Sequence, residues 1–239
     1  MNFKIFTLFP EIFDSYLKTS ILGRGLEKKL WSYQVINIRD YSTDKYKHVD
    51  DVPFGGGCGM IIKPDVIANA IDNNCNIETT KFYYMSPRGK VFNQYIINEM
   101  LENRENKIDV AIICGRYEGI DQRVIEEYNM EEISIGDFIL TGGELPALSI
   151  IDACVRCIEG VLGDYNSIKN ESFGGIEKSI YNNLLEYPLY TQPRNWRGRE
   201  VPEILLSGHH SNIEKWQLEE AKKITKERRP DLWKKFNNE

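Results

Sequence analysis

The chain has 239 residues, room for one large domain and a small one, and its 41% hydrophobic and 28% charged residues describe a globular protein. No apolar run approaches the ~20 residues that a membrane-crossing helix needs, which argues against an integral membrane protein. The net charge of −6 is unevenly placed: Arg194–Glu239 holds 11 Lys/Arg against 8 Asp/Glu, a net of +3, and everything before it carries −9. That asymmetry suggests a polyanion surface in the tail, although a lysine-rich helix is usually just a solvated face.

Met1–Pro10 is apolar, carries Lys4, stops at a proline and lacks a small-residue cleavage site, so it reads as a first strand and not a signal peptide; the expected compartment is the cytoplasm. Short β-branched or aromatic stretches bounded by turns predict strands at Phe3–Phe9, Gln34–Ile38, Lys81–Met85, Val110–Cys114 and Glu132–Ile135. Between them the spacing predicts helices over Leu22–Trp31, Pro64–Asn73, Asn93–Glu102, Ile120–Glu127 and Leu145–Ile158. Pro64 stands at an early helical position, and Val66, Ile67, Ala70 and Ile71 follow at helical spacing. Strands separated by helices imply an α/β fold with a mainly parallel sheet and helices packed on it. Gly160–Gly175, rich in Gly, Asn and Ser, reads as a linker or mobile loop. Beyond it Lys178–Leu185 and Ile213–Arg228 look helical, with Ser211 or Asn212 as the cap of the second, giving a small α-helical C-terminal domain.

Three late strands run straight into glycine-bearing loops: Met85–Gly89, Cys114–Gly119, and Ile135-Gly136-Asp137 through Leu140-Thr141-Gly142-Gly143. In open α/β sheets ligands bind at the carboxyl ends of strands, and glycine allows close backbone approach. Three such loops suit an adenine or ribose, while each alone reads as a tight turn. Neither G-x-G-x-x-G after a strand nor G-x-x-x-x-G-K-[ST] occurs, which excludes dinucleotide and P-loop sites. A fourth cluster, Asp50–Met60, has glycine at four of the five positions 55–59 and reads as a lid or a surface where backbone meets substrate. Five cysteines form no framework; Cys154 and Cys157 make a C-x-x-C that zinc or redox chemistry would use, but inside an apolar helix they read better as core residues one turn apart. No metal site is assigned.

Pro53-Phe54-Gly55-Gly56-Gly57, Ser86-Pro87 with Gly89, Cys114-Gly115-Arg116-Tyr117-Glu118-Gly119, Ser134-Ile135-Gly136-Asp137-Phe138, Gly142–Ala147, Leu185-Glu186-Tyr187-Pro188 and Ser207-Gly208-His209-His210 occur in this order. Together they closely resemble the bacterial tRNA (guanine-N1)-methyltransferase family (TrmD) along essentially the whole chain. The resemblance implies a SPOUT fold: a mainly parallel sheet with helices on both faces and a deep trefoil knot. It divides the chain into a knotted domain at 1–160 that binds S-adenosylmethionine, a flexible linker at 161–176 and a helical tRNA-binding domain at 177–239. The methyl donor would sit on Met85, Ser86, Pro87, Gly115, Tyr117, Glu118, Ile135, Gly136, Asp137, Phe138, Ile139, Leu140, Gly142 and Gly143. The family enzymes are homodimers whose active sites draw on both chains, and magnesium dependence is a family trait with no residues assigned here. Membrane and DNA partners are not expected.

The implied reaction is methylation of guanine-37, immediately 3′ of the anticodon. Guanine N1 carries a proton at neutral pH, so a carboxylate must take it while a cation stabilises charge developing on O6. The resemblance places these roles on Glu171 and Arg156. The family commonly has Asp-Ser-Phe where this chain has Glu171-Ser172-Phe173, and Asp164 is the nearest alternative base. Arg156 is also spaced for an i,i+4 ion pair with Asp152. Trp216, Trp233, Arg228 and Arg229 fit an RNA-facing surface, or for the tryptophans a small core. His209 and His210 either touch RNA or polarise the turn before the last long helix. Two alternatives stay open: a knotted RNA methyltransferase with another target, and a noncatalytic tRNA-binding protein.

Overall fold

The computed structural model describes residues 1–164, 168, 170–174 and 179–238. The chain divides into two compact units, Met1–Gly163 and Asp164–Glu239.

In chain order the first unit contains β1 (Asn2–Thr7), α1 (Glu11–Leu17), α2 (Ser20–Glu27), β2 (Ser32–Asn37), β3 (Asp50–Asp51), β4 (Ile61–Ile62), α3 (Pro64–Asn74), β5 (Thr80–Val91), α4 (Gln94–Glu105), β6 (Asp109–Ile113), α5 (Gln122–Glu127), β7 (Glu131–Ser134) and α6 (Glu144–Val155). Five strands form one parallel sheet in the order β2-β1-β6-β5-β7, and β3 and β4 pair antiparallel apart from it. Side chains alternate across a strand. Phe6, Phe82, Tyr84, Ala111 and Ile113 therefore meet Val66, Ile67, Ala70 and Ile71 of α3 and Val124 and Ile125 of α5 on one face. The other face is covered by α6 against β1 and α4 against β6, with α1 and α2 packed on α6. Phe3, Ile5, Tyr83 and Ile112 are fully buried. Each such side chain contributes roughly 1.5–3 kcal/mol through burial, so the central strands are the most stable part of the unit.

The five predicted strands and the alternating helices are present, with instructive differences. Leu22–Trp31 is not helical throughout: α2 ends at Glu27, Lys29 takes a left-handed φ of 57°, and Trp31 is buried with its Nε1 donating to the Leu22 carbonyl at 3.0 Å. The indole's need for one acceptor and an apolar pocket overrides helix periodicity. α1, seven residues directly after Pro10, is a helix that the sequence reading did not include. β5 runs well past Met85. Its pairing to β7 shifts register between Met85 and Lys90, so Ser86–Gly89 is a bulge inside one long strand and not a loop after it. A Cβ on Gly89 would come within 2.3 Å of the β7 backbone, so glycine is required for that contact. Cys154 and Cys157 are both buried, and Cys154 Sγ packs 3.6 Å from Met100 Sδ: they are core residues.

The second unit contains β8 (Asn195–Trp196), β9 (Arg199–Glu200), α7 (Glu203–Leu206), α8 (His210–Arg228) and α9 (Pro230–Phe236). Its core is small: Tyr181, Leu184 and Ala221, with Tyr187, Leu218, Trp233 and Phe236 packed against them. The helix expected at Lys178–Leu185 is not formed by its described residues. Ser179–Leu184 makes successive turns, Asn182 N–H to Ser179 O and Leu184 N–H to Tyr181 O, and Lys178 lies outside the described residues. Asn182 Oδ1 accepts from the Ser179 N–H, a local bond that competes with helix. α8 begins at His210, so neither Ser211 nor Asn212 caps it; His209 holds that position, and its carbonyl accepts from the Asn212 and Ile213 N–H groups.

Candidate active site

The Tyr84–Pro87 stretch within β5, the segments that follow β6 and β7, and the start of α6 line a cavity of about 220 Å³. Its lining includes Met85, Ser86, Pro87, Gly115, Tyr117, Glu118, Ile135, Gly136, Phe138, Ile139, Leu140, Gly142 and Gly143, which is every expected donor-binding residue except Asp137. Asp137 is exposed and does not line it. The cavity lies where a parallel sheet offers its strand ends to a ligand.

Glycine makes this convergence possible. A Cβ on Gly143 would lie 2.8 Å from Cys114 Cα and 3.0 Å from Met85 Cβ, and one on Gly115 would lie 2.9 Å from the Tyr84 hydroxyl. The start of α6 thus meets the segment after β6 at backbone distance, with the Met85 side chain of β5 against it, and Gly143 N–H donates to Gly115 O at 3.0 Å. Tyr117 and Gly119 take left-handed φ values of 59° and 114°, turning the Cys114–Gly119 segment back so that Gly119 N–H reaches Arg116 O at 2.9 Å. Ser134 Oγ donates to Gly136 O at 3.0 Å, fixing the exit of β7. The lining sets apolar Met85, Ile133, Ile135 and Leu140 beside Gly115, Gly136, Gly142 and Gly143.

Arg116, in the lining of the slot, forms an ion pair with buried Glu144 that the sequence did not reveal. Glu144, 2% exposed, receives Arg116 Nη2 at 3.0 Å and the Thr7 hydroxyl at 2.8 Å. Arg116 also donates to Thr141 O at 3.3 Å, and its guanidinium lies 4.3 Å from the Phe9 ring centroid. The pair ties the ends of β1 and β6 to the start of α6, where the helix dipole favours a carboxylate. A glutamate ahead of an apolar helix looks like an ordinary first-turn acid; only the fold brings Arg116 and Thr7 to it. Burial pushes the Cys114 thiol, next to this carboxylate, well above its ordinary value, so it is no nucleophile at neutral pH.

Arg156 caps the C-terminus of α6 in the first unit, half-buried, its N–H on the Asp152 carbonyl at 3.0 Å. The Asp152 carboxylate accepts from the Tyr16 hydroxyl. Glu171 belongs to the second unit, half-buried in a turn stitched to Leu184–Glu186. Gly174 N–H reaches Glu171 O at 3.1 Å, Phe173 N–H reaches Leu184 O at 2.9 Å, and Glu186 N–H reaches Ser172 Oγ at 2.9 Å. Burial, and then the Glu171 carboxylate, hold the Glu186 carboxyl above the usual range. Asp164 is exposed. Trp233 stacks on Phe236 at 5.6 Å within the small core, Trp216 is half-buried near Tyr190, and Arg229 pairs with Asp231 at 2.6 Å. His209 and His210 are exposed. Among the described residues no group of three or more His, Cys, Asp or Glu is placed to hold a metal, and no helix is long and apolar enough to cross a membrane.

A five-stranded parallel sheet with a glycine-lined slot beside β5, β6 and β7 defines an α/β protein with a candidate ligand site and no phosphate-loop motif. The chain belongs to the tRNA (guanine-1)-methyltransferase family TrmD, whose family model matches residues 1–235, so the resemblance read from its motifs holds. It is 50% identical over 231 residues to the tRNA (guanine-N(1)-)-methyltransferase of Rickettsia akari, covering 96% of each chain. It is 49% identical over 240 residues to that of Clostridioides difficile, covering 99% of each, and 48% identical over 229 residues to that of a Wolbachia from Culex pipiens, covering 95% of each.

Proposed function

We propose that this protein transfers a methyl group from S-adenosylmethionine to N1 of guanine-37 in tRNA. The observation that carries the reading is the convergence of Met85–Pro87, Gly115–Glu118 and Ile135–Gly143 on one slot in a chain of this family. In this reading the slot suits the donor because only glycine fits beside it: a Cβ on Gly143 would collide with Cys114 Cα, one on Gly115 with the Tyr84 side chain, and one on Gly142 with the Arg116 and Glu144 side chains. S-adenosylmethionine, when bound, supplies an electrophilic sulfonium methyl. In this reading Glu171 accepts the N1 proton of guanine, freeing the N1 electron pair, and Arg156 stabilises the negative charge that grows on O6. Glutamate has the proton chemistry of the family aspartate with one more methylene, and the stitched turn around Glu171 supplies a defined seat for it. Magnesium has no residues assigned to it.

The same reading gives the chain a knotted SPOUT topology, and a division into a donor-binding domain at 1–160, a linker at 161–176 and a tRNA-binding domain at 177–239. It also makes the protein a cytoplasmic homodimer with shared active sites. Phe138, Ile139 and Leu145, apolar and exposed around the slot, support a second chain covering them.

The test is transfer of labelled methyl from S-adenosylmethionine to unmodified tRNA, comparing wild type with Glu171→Gln. Product confined to guanine N1 beside the anticodon, with at least ~100-fold loss in the variant, is the expected result. A fully active variant removes Glu171 from the mechanism in favour of Asp164. Tight tRNA binding by wild type without any transfer refutes the enzymatic reading.

A further inference from the structure

In the second unit, β8 and β9 form a short hairpin in which every residue from Arg194 to Glu200 is exposed. Its turn, Arg197-Gly198, has φ of 55° and 79°, the paired left-handed geometry of a tight two-residue hairpin turn. Gly198 N–H donates to Asn195 Oδ1 at 3.1 Å, and Val201 N–H closes the base on Arg194 O at 3.0 Å. This small, fixed scaffold presents Trp196, 55% exposed, with the Arg197 guanidinium 4.8 Å from its ring centroid. Arg194 is held by Glu203 at 2.5 Å, whereas Arg197 and Arg199 have no carboxylate partner among the described residues. Trp196 stands outside the small core of Tyr181, Leu184 and Ala221 and contributes nothing to it.

An exposed indole on a tight turn, with the Arg197 guanidinium over its ring and Arg199 opposite it in the hairpin, is a stacking platform accompanied by phosphate-binding cations. Unpaired nucleotides are held in this way, base on aromatic face and backbone on arginine. One exposed ring is far too little apolar surface for a contact between two copies of the chain, which needs on the order of 1,000 Å². We propose that the hairpin is a contact for an unpaired nucleotide of the RNA substrate, with Trp196 stacking on its base and Arg197 and Arg199 on flanking phosphates. The proposal rests on the reading of this protein as a tRNA methyltransferase.

The experiment measures methylation kinetics of the full-length protein on unmodified tRNA over a range of salt, with sedimentation to follow its oligomeric state. Trp196→Ala should raise the KM for tRNA about 5- to 150-fold, with kcat and S-adenosylmethionine affinity unchanged, and Trp196→Phe should recover most of that loss. Arg197→Ala and Arg199→Ala should each lower the slope of log affinity against log salt by about one phosphate contact. A wild-type KM in Trp196→Ala overturns the proposal. So does a change in oligomeric state in that variant, which assigns the hairpin to a contact between copies. If wild type itself neither binds nor methylates tRNA, the functional reading fails and this proposal fails with it. Failure confined to the variants overturns the hairpin's role alone.

Discussion

One added methyl at Gly143 tests whether the close approach of the start of α6 to Cys114, Gly115 and Met85 shapes the slot. Gly143 has φ −83° and ψ −2°, values alanine adopts freely, so Gly143→Ala introduces a steric change without backbone strain. The new Cβ would lie 2.8 Å from Cys114 Cα, 3.0 Å from Met85 Cβ and 3.1 Å from Gly115 N. Carbon atoms pack at about 3.5–4.0 Å, so the segments must separate by roughly 1 Å, in a region where Cys114 is fully buried. Overpacking of that size costs about 1–3 kcal/mol. At about 2–4 °C per kcal/mol for a unit of this length, calorimetry should show Tm falling by roughly 2–12 °C. The same displacement acting on the slot should weaken S-adenosylmethionine binding in titration calorimetry by about 5- to 150-fold. Gly163→Ala is the control, since nothing lies within 4 Å of its Cβ, and it should stay within about 0.5 kcal/mol of wild type. A Gly143→Ala protein with the wild-type Tm and the wild-type affinity would refute the reasoning.

Glu144→Ala strands the Arg116 guanidinium. Breaking a buried pair costs about 3–5 kcal/mol, and because Arg116 keeps 19% exposure the low end is expected, measured as a shift in the denaturant midpoint at unchanged slope. An unshifted midpoint would mean that the pair holds nothing together. The pH dependence of stability should carry the mark of Glu186. Its carboxyl is held above the usual range in the folded chain, by burial and then by Glu171, so the folded state binds the proton more tightly than the unfolded state. The stability it contributes is complete below the ordinary carboxylate pKa and is lost as pH rises through the raised folded value. Glu186→Gln should therefore have the higher Tm at pH 7, with the difference vanishing as pH falls below the ordinary range; an equal Tm at both pH values would contradict this.

Much of the first unit was legible because its signals are local. β-branched runs, the Pro64 start of α3 and the apolar spacing of α4 and α6 each specify an element whose hydrophobic face has only one place to go. The short pieces were not legible. α1, β3 and β4 are too brief for periodicity to register, and tertiary pairing decides whether they form. The extent of β5 was likewise hidden, because a strand interrupted by Ser86–Gly89 looks like a strand followed by a loop until β7 pairs on both sides of the bulge. In the second unit the helix expected from Lys178 gave way to turns, since Asn182 satisfies a nearby backbone donor itself.

By itself the sequence determined the class of fold and the family, because element periodicity and an ordered set of motifs are written locally into the chain; the residues proposed to hold the donor came from the family resemblance. It did not determine Asp137's place outside the lining, nor the pairing of Arg116 with Glu144 and Thr7. Those three residues stand at separate points of the chain, and no spacing rule relates them. They meet because β1 and β6 are sheet neighbours while α6 starts where the Gly142-Gly143 segment crosses the end of β6. A buried charge is tolerated only where a partner arrives, and the arrival of the partner is decided by tertiary structure.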